Sequence, residues 1–310
     1  MLARIRAELA IDRDLLARWA RPAGWRLLAA TTREWGLIIA ASVLSLSSNS
    51  SWITAATVVF IGARQHALLV LMHEFSHRQF SRTRAGLNDG LGDFLTALPF
   101  GITIHGFRRD HQSHHRHTGT EADPNWVSLQ RQPRYRAPMS RGRLASELVM
   151  HLSGVYTLRE IKSYLFDQGM AVHSPSATRR RQAVMGVAVL GVTACLHGWA
   201  VLALYWLLPL FTVLIALLYF RDIAEHVALP PGAYASRSTI ASRLESWLVA
   251  PLHVGLHAEH HLFPSVPWYR LPELHRMLSK SPTYRKEVTL THGYFNGVVR
   301  EVTSRRPCGR

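Results

Sequence analysis

Cysteine is nearly absent from this chain: Cys195 and Cys308 are the only two among 310 residues. That scarcity excludes a disulfide framework, a cysteine-built zinc module and a thiolate-held iron–sulfur centre. Acidic side chains are also few, 20 Asp and Glu against 36 Lys and Arg, which leaves a formal charge of +16. A basic excess of that size points to nucleic acid or an anionic membrane surface as a neighbour and does not choose between them. With 48% hydrophobic, 18% charged and 9% aromatic residues, the chain is neither disordered, collagenous nor coiled coil. Histidine is what it has in excess: 18 residues, roughly one in seventeen.

Charge is missing from two long stretches. Residues 183–220 contain no Asp, Glu, Lys or Arg across 38 positions, and residues 35–72 contain only Arg64. A spanning helix needs about 20 apolar residues, so each stretch reads as a helical hairpin. Spans are expected near 35–48, 52–72, 183–203 and 205–221, with turns at 48–51 and near Trp206 or Pro209. The basic residues fall in 1–34, 73–182 and 221–310 and avoid both turns, which places those three segments on the cytoplasmic side. The expected fold is an all-α integral membrane protein, with four transmembrane helices in two hairpins and a cytoplasmic helical cap carrying the histidines. A soluble helical protein with two buried hairpins is the competing reading.

Three parts follow from that plan: an amphipathic interfacial segment over 1–34, a membrane domain over 35–278 and a cytoplasmic tail over 279–310. No secretory signal is evident, and three acidic residues in the first fourteen argue against a transit peptide. The arginine-rich stretch 131–143 reads as a surface loop, and 303–310 as disordered. Arg64, near mid-membrane, calls for a partner that the sequence does not name.

The histidines are grouped. His73-Glu74-Phe75-Ser76-His77 ends the second expected span, His111-Gln112-Ser113-His114-His115 lies in the middle segment, and His257-Ala258-Glu259-His260-His261 follows the last span. Spacings of three and four put imidazoles on one helical face within reach of a common ion. The first group also spells the H-E-x-x-H of zinc proteases, with Glu74 as general base. One zinc needs only three protein ligands, which would leave most of these histidines without a role. Eight, with His226 as a ninth, suit two metals, and nitrogen-rich, thiolate-free ligation suits iron that binds dioxygen.

Around the groups, the chain resembles the membrane fatty acid desaturase–hydroxylase family, with its three histidine boxes and non-haem di-iron centre. The resemblance runs from about 35 to 278. It includes Asn88, Gly92 and Pro99, the run Arg108-Arg109-Asp110-His111, Thr118, and Asp123-Pro124-Asn125. The most specific stretch is 257–267, His-Ala-Glu-His-His-Leu-Phe-Pro-Ser-Val-Pro, followed by Tyr269, Leu271-Pro272 and His275. It implies the metal ligands His73, His77, His111, His114, His115, His226, His257, His260 and His261, holding two non-haem iron ions that zinc can mis-occupy. Asp222, standing where some relatives have Asn, and His66, His117, His253 and Glu225 are candidates for supporting positions, and His275 flanks the third box. His105, His151, His173, His197 and His292 have ordinary roles. Two departures stand out: Asn125 where Asp is common, and three residues rather than four inside the first box, which leans away from thioester substrates.

The implied activity is O2-dependent desaturation of a fatty acyl or lipid-like chain. Hydroxylation or ketolation of a lipid, carotenoid or specialised metabolite on the same centre is the alternative, and a membrane zinc metallohydrolase using His73-Glu74-x-x-His77 is remote. No haem-binding or cysteine-based segment accompanies the boxes, so electrons are expected from a separate ferredoxin- or cytochrome-type donor with its reductase. Membrane lipids and an acyl substrate complete the expected partners, without nucleic acid.

Overall fold

Helices supply almost all the regular structure in the computed structural model of the chain, which describes residues 2–9, 11–163, 174–229 and 234–304. Chain contacts divide it into two compact units. One comprises Met1–Pro22, Gln112–Leu148 and Tyr219–Arg310; the other comprises Ala23–His111 and Val149–Leu218. Among the described residues, three helices are long and apolar enough to cross a bilayer: Gly24–Ser48, Ser51–Ser76 and Trp199–His226.

The second unit opens with α1 (Gly24–Ser48) and α2 (Ser51–Ser76), an antiparallel hairpin. Its turn closes at Asn49 in the left-handed region (φ 48°), a conformation that Asn tolerates better than most side chains. The first span therefore starts well before Trp35. Glu34, which looks like a boundary in the sequence, lies inside α1 and is fully buried, and its carboxylate meets the Arg64 guanidinium at 3.0 Å. A lone buried charge of either sign costs several kcal/mol, so each makes the other tolerable. This is the partner the sequence left unnamed.

The second hairpin also turns elsewhere than expected. After α3 (Ser176–Cys195) the break falls at Leu196–Gly198, with His197 left-handed (φ 51°). Then α4 (Trp199–His226) runs straight past Pro209. Proline lacks an N–H, and the helix accommodates it through π-type stretches at Ala203–Leu207 and Leu210–Leu214. Gln65 Nε2 donates to the Trp206 carbonyl at 2.9 Å, one of the ways a membrane helix satisfies backbone oxygens. At Gly62, a Cβ would sit 2.5 Å from Val213, so glycine is what lets α2 and α4 approach. No residue of α3 is buried, and Val184, Val187 and Leu190 are exposed.

In the first unit, the amphipathic pattern of the N-terminal segment is covered by protein. Ile5 is fully buried with Leu262, Leu271 and Tyr284, and Leu9, Leu16 and Trp19 pack on the same cluster. Two short parallel strands, β1 (Arg237–Ile240) and β2 (Thr289–His292), pair from Arg237 with Thr289 to Ile240 with His292. Much of the expected tail is thus folded: Tyr284, Tyr294, Val298 and Val302 are core residues. Within the expected surface loop 131–143, Arg134, Tyr135 and Met139 are buried. His173, Cys308 and the end of the tail, 305–310, lie outside the described residues.

Candidate metal centre

The first box forms where α2 stops. Arg108 holds that end: its guanidinium donates to the carbonyls of Ser76 at 2.7 Å and Phe75 at 3.2 Å, and pairs with Asp89. Asn88 Nδ2 also donates to the Phe75 carbonyl, at 2.8 Å. These groups satisfy oxygens that a helix C-terminus leaves without partners. His73 and His77 emerge there and meet His111, on the helix Ile104–His117: one ring nitrogen from each lies within 4.8 Å of the others. His77 Nε2 and His111 Nε2 are 3.1 Å apart, and Phe107 stacks on the His111 ring. Burial pushes His77 down to about 3, with Arg108 and Arg82 adding to the effect, so its imidazole is neutral and available as a ligand.

In the first unit, His114, His226, His257 and His261 converge in the same way, within 4.8 Å. Their far nitrogens decide their chemistry. His114 Nδ1 faces both Asp123 oxygens at 2.9 Å, and His226 Nδ1 faces the Ala235 carbonyl at 3.0 Å. Both partners only accept, so each Nδ1 carries the proton. Thr118 spends its hydroxyl proton on the His114 carbonyl at 2.7 Å, so its oxygen accepts from His261 Nδ1 at 3.0 Å. A neutral imidazole has one proton, and the Nε2 atoms of His226 and His261 therefore turn lone pairs into the group. His257 Nε2 sits among them, 3.1 Å from His226 Nε2 and 3.0 Å from His261 Nε2. Burial holds His257 and His261 well below the ordinary histidine range, so protons do not fill the gap. A cation bound by nitrogen would, and the residues fit a metal.

Asp123 owes its position to local chemistry. It caps the helix Pro124–Arg131 by accepting from the Asn125 and Trp126 N–H groups, with Pro124 at the first helical position. Burial acts to raise its pKa, but the bonds from His114, Gly119 and Trp126 hold it below the usual carboxylate value. The Asp-Pro-Asn motif is thus both a helix start and a tautomer lock.

The third box rides on the helix His257–Leu262, all six residues of which are buried. Glu259 points away from the ligand face and accepts from Ser238, His275 and Tyr284, the last at 2.6 Å. On the same helix, His260 Nε2 lies 3.0 Å from His115 Nε2. Arg6 donates to the carbonyls of Leu262 and His261, so even the N-terminal helix Leu2–Leu9 touches the box.

Every histidine of the expected ligand set thus falls in one of these groupings. The expected supporting residues divide. Glu225 lies 3.3 Å from His257 Nε2 and pairs with Arg221. Asp222 instead accepts from the Tyr135 hydroxyl at 3.1 Å. His66 is buried within α2, His117 is exposed, and His253 is left-handed (φ 58°) and stacks on Trp268. Sequence patterning does not single out Ser238, Tyr284 or Arg237. They come from segments without motif character, although the buried Arg237 stands out in an otherwise uncharged strand.

Comparison with known proteins identifies the family. The family model described as Fatty acid desaturase matches residues 50–292. A dihydrorhizobitoxine desaturase of Bradyrhizobium elkanii is 24% identical over 83% of this chain and 77% of its own length. A sphingolipid delta(4)-desaturase of Drosophila melanogaster is 27% identical over 73% of this chain and 66% of its own. An sn-1 acyl-lipid omega-3 desaturase (ferredoxin) of Synechocystis sp. is 25% identical over 66% of this chain and 61% of its own. The chain belongs to the fatty acid desaturase family, whose named members are oxidoreductases.

Proposed function

We propose that this member of the fatty acid desaturase family is an O2-dependent membrane enzyme that desaturates a fatty acyl or lipid-like chain. In this reading the nine histidines hold two non-haem iron ions, with His114, His226, His257 and His261 taking one. The observation that carries it is the set of fixed ring orientations in these four, which turns nitrogens toward one another as a metal-binding group does. When bound, the irons would supply what no side chain can, reduction of dioxygen and cleavage of an unactivated C–H bond.

The chain's own contribution is to hold that set. Asp123, Ala235 and Thr118 keep three Nδ1 protons in place, so the Nε2 atoms stay free for metal as the protein breathes. Glu225 brings a carboxylate to His257 Nε2, the nitrogen turned into the group, and so adds an oxygen at its edge. Glu259, anchored by three side chains, fixes the helix from which His257, His260 and His261 project.

The membrane arrangement follows from the apolar surfaces. The exposed apolar residues Val184, Val187 and Leu190 support reading α3 as the fourth span beside α1, α2 and α4. With the basic segments held cytoplasmic, both termini and the iron site lie on that side. The two electrons that each turnover consumes would come from a separate ferredoxin- or cytochrome-type protein. A single-zinc hydrolase on His73-Glu74-x-x-His77 would leave the four-histidine group without a task.

Mass spectrometry of lipids and small metabolites from cells with and without the gene, together with iron analysis of the purified protein, tests the reading. A product that has lost two hydrogens and requires O2 supports desaturation. A product that has gained one oxygen would move the assignment to the hydroxylase or ketolase alternative. Full turnover by a His260→Ala variant would overturn the di-iron assignment.

A further inference from the structure

The helix His257–Leu262 is reached from behind by two neighbouring helices, Leu271–Leu278 and Pro282–Glu287. Each sends one side chain inward to Glu259, in the middle of the third box. His275 Nδ1 does so from the first and the Tyr284 hydroxyl from the second. Each turns cations outward at the adjoining positions: Arg276 and Lys280 after His275, Arg285 and Lys286 after Tyr284, all exposed. Arg4, on the helix packed against Pro282–Glu287, stands half exposed at the rim, its charge balanced by Glu287 at 2.9 Å and Glu8 at 3.4 Å. The inner faces of these helices are apolar and closed, with Leu271, Leu274, Leu278 and Tyr284 in the core. His275 keeps 17% of its side chain at the surface. A bonded route therefore runs from a basic surface through an imidazole to a fully buried carboxylate on the very helix that carries three candidate ligands.

We infer that this face, Arg276–Lys280–Arg285–Lys286 around His275, is where an acidic one-electron carrier protein docks to reduce the iron site. The inference rests on the di-iron reading above. Charge complementarity steers such a partner and sets its association rate. The same cations could meet anionic lipid, but a membrane-seated surface also presents apolar anchors. Between Trp247 and Leu290 the chain exposes no large hydrophobic side chain, whereas Leu244, Trp247, Leu290 and Phe295 are exposed outside that stretch. A water-facing face of that kind suits a soluble partner. Per turnover, two reduced carriers each give up one electron. With these, one O2 and two protons, a –CH2–CH2– unit becomes –CH=CH– and two waters form, so atoms and electrons balance.

The test uses the full-length, iron-loaded protein in lipid nanodiscs and follows reduction of its iron by stopped flow. The reductants are a reduced [2Fe–2S] ferredoxin and, separately, dithionite with a viologen mediator. Arg276→Glu with Lys280→Glu, and Arg285→Glu with Lys286→Glu, are compared with wild type. Expected are a ferredoxin-driven rate at low salt lower by ~10-fold or more and a flattened salt dependence, as for loss of electrostatic steering. Dithionite-driven reduction and iron content stay at the wild-type level. An unchanged ferredoxin rate in both variants overturns the docking face, as does a loss confined to binding of anionic vesicles. Failure of dithionite to reduce iron in the wild type would instead overturn the di-iron reading on which the face rests.

Discussion

Two helices end in ligand histidines, one in each unit, and both ends are gripped by an arginine. In the second unit Arg108 takes the carbonyls of Phe75 and Ser76 at the end of α2 and is balanced by Asp89. In the first, Arg237 takes the carbonyls of Ala224 at 3.0 Å and Ala228 at 3.1 Å at the end of α4, and is balanced by Glu301 at 3.1 Å. A guanidinium there meets both the unpaired oxygens and the negative end of the helix dipole. The difference lies in the surroundings. Arg237 is fully buried, whereas Asp89, the partner of Arg108, is 29% exposed. The histidines differ in the same sense, since three of the four near Arg237 have their far nitrogens fixed by named acceptors. One histidine group is held through its imidazoles and by a buried clamp, the other mainly through the backbone that presents it.

That contrast yields a ranked set of expectations. His226→Ala should abolish O2-dependent product in cells while the protein still reaches the membrane, read by lipid mass spectrometry and immunoblot of membrane fractions. Replacing the carboxylate in Asp123→Leu removes the acceptor that sets the His114 tautomer. Metal affinity of the four-histidine group should then fall by roughly 10–100-fold, measured by Co(II) titration, with the other group's affinity unchanged. Arg237→Met strands Glu301 and several carbonyls in the interior and should cost about 3–5 kcal/mol of stability. Arg108→Met should cost less, because Asp89 can turn to water; chemical denaturation in detergent compares the two, and equal losses would erase the difference between the clamps.

The smallest effect concerns Glu245, which ties the C-terminal segment to the helix Arg243–Leu248 by accepting from the N–H groups of Ser242, Tyr294 and Phe295. Burial acts to raise its pKa, yet these bonds bring it below the ordinary 4.5. Its folded state therefore binds a proton less readily than its unfolded state, so its contribution is present above that value and fades as pH falls through the folded one. The Tm gap between wild type and Glu245→Gln should be present at neutral pH and close in acid.

The clustering of the candidate histidines was legible because helical spacing converts directly into a shared face, and three such spacings in one chain rarely coincide by chance. The membrane plan was legible to the level of apolar stretches. Its boundaries were not, and in both places the cause was a tertiary partner. Glu34 looks like the edge of a span, but a buried pairing with Arg64 lets α1 continue through it. Pro209 looks like a turn, but the π-type stretches around it, with Gln65 on the Trp206 carbonyl, keep α4 unbroken. The supporting contacts were hidden for the same reason: Tyr284 reaches Glu259 across 25 residues of sequence, and no local pattern encodes that bond. The N-terminal stripe is amphipathic in sequence, but periodicity does not say whether lipid or protein will cover it. Here Ile5 finds Leu262 and Tyr284.

The most direct measurement is the iron count of full-length protein loaded anaerobically and freed of loose metal, compared with a His226→Ala/His257→Ala variant. The account predicts two irons per chain in the wild type and one in the variant, with the helical signature of both unchanged. A wild type that binds a single metal ion, or a variant that keeps both irons, would contradict it.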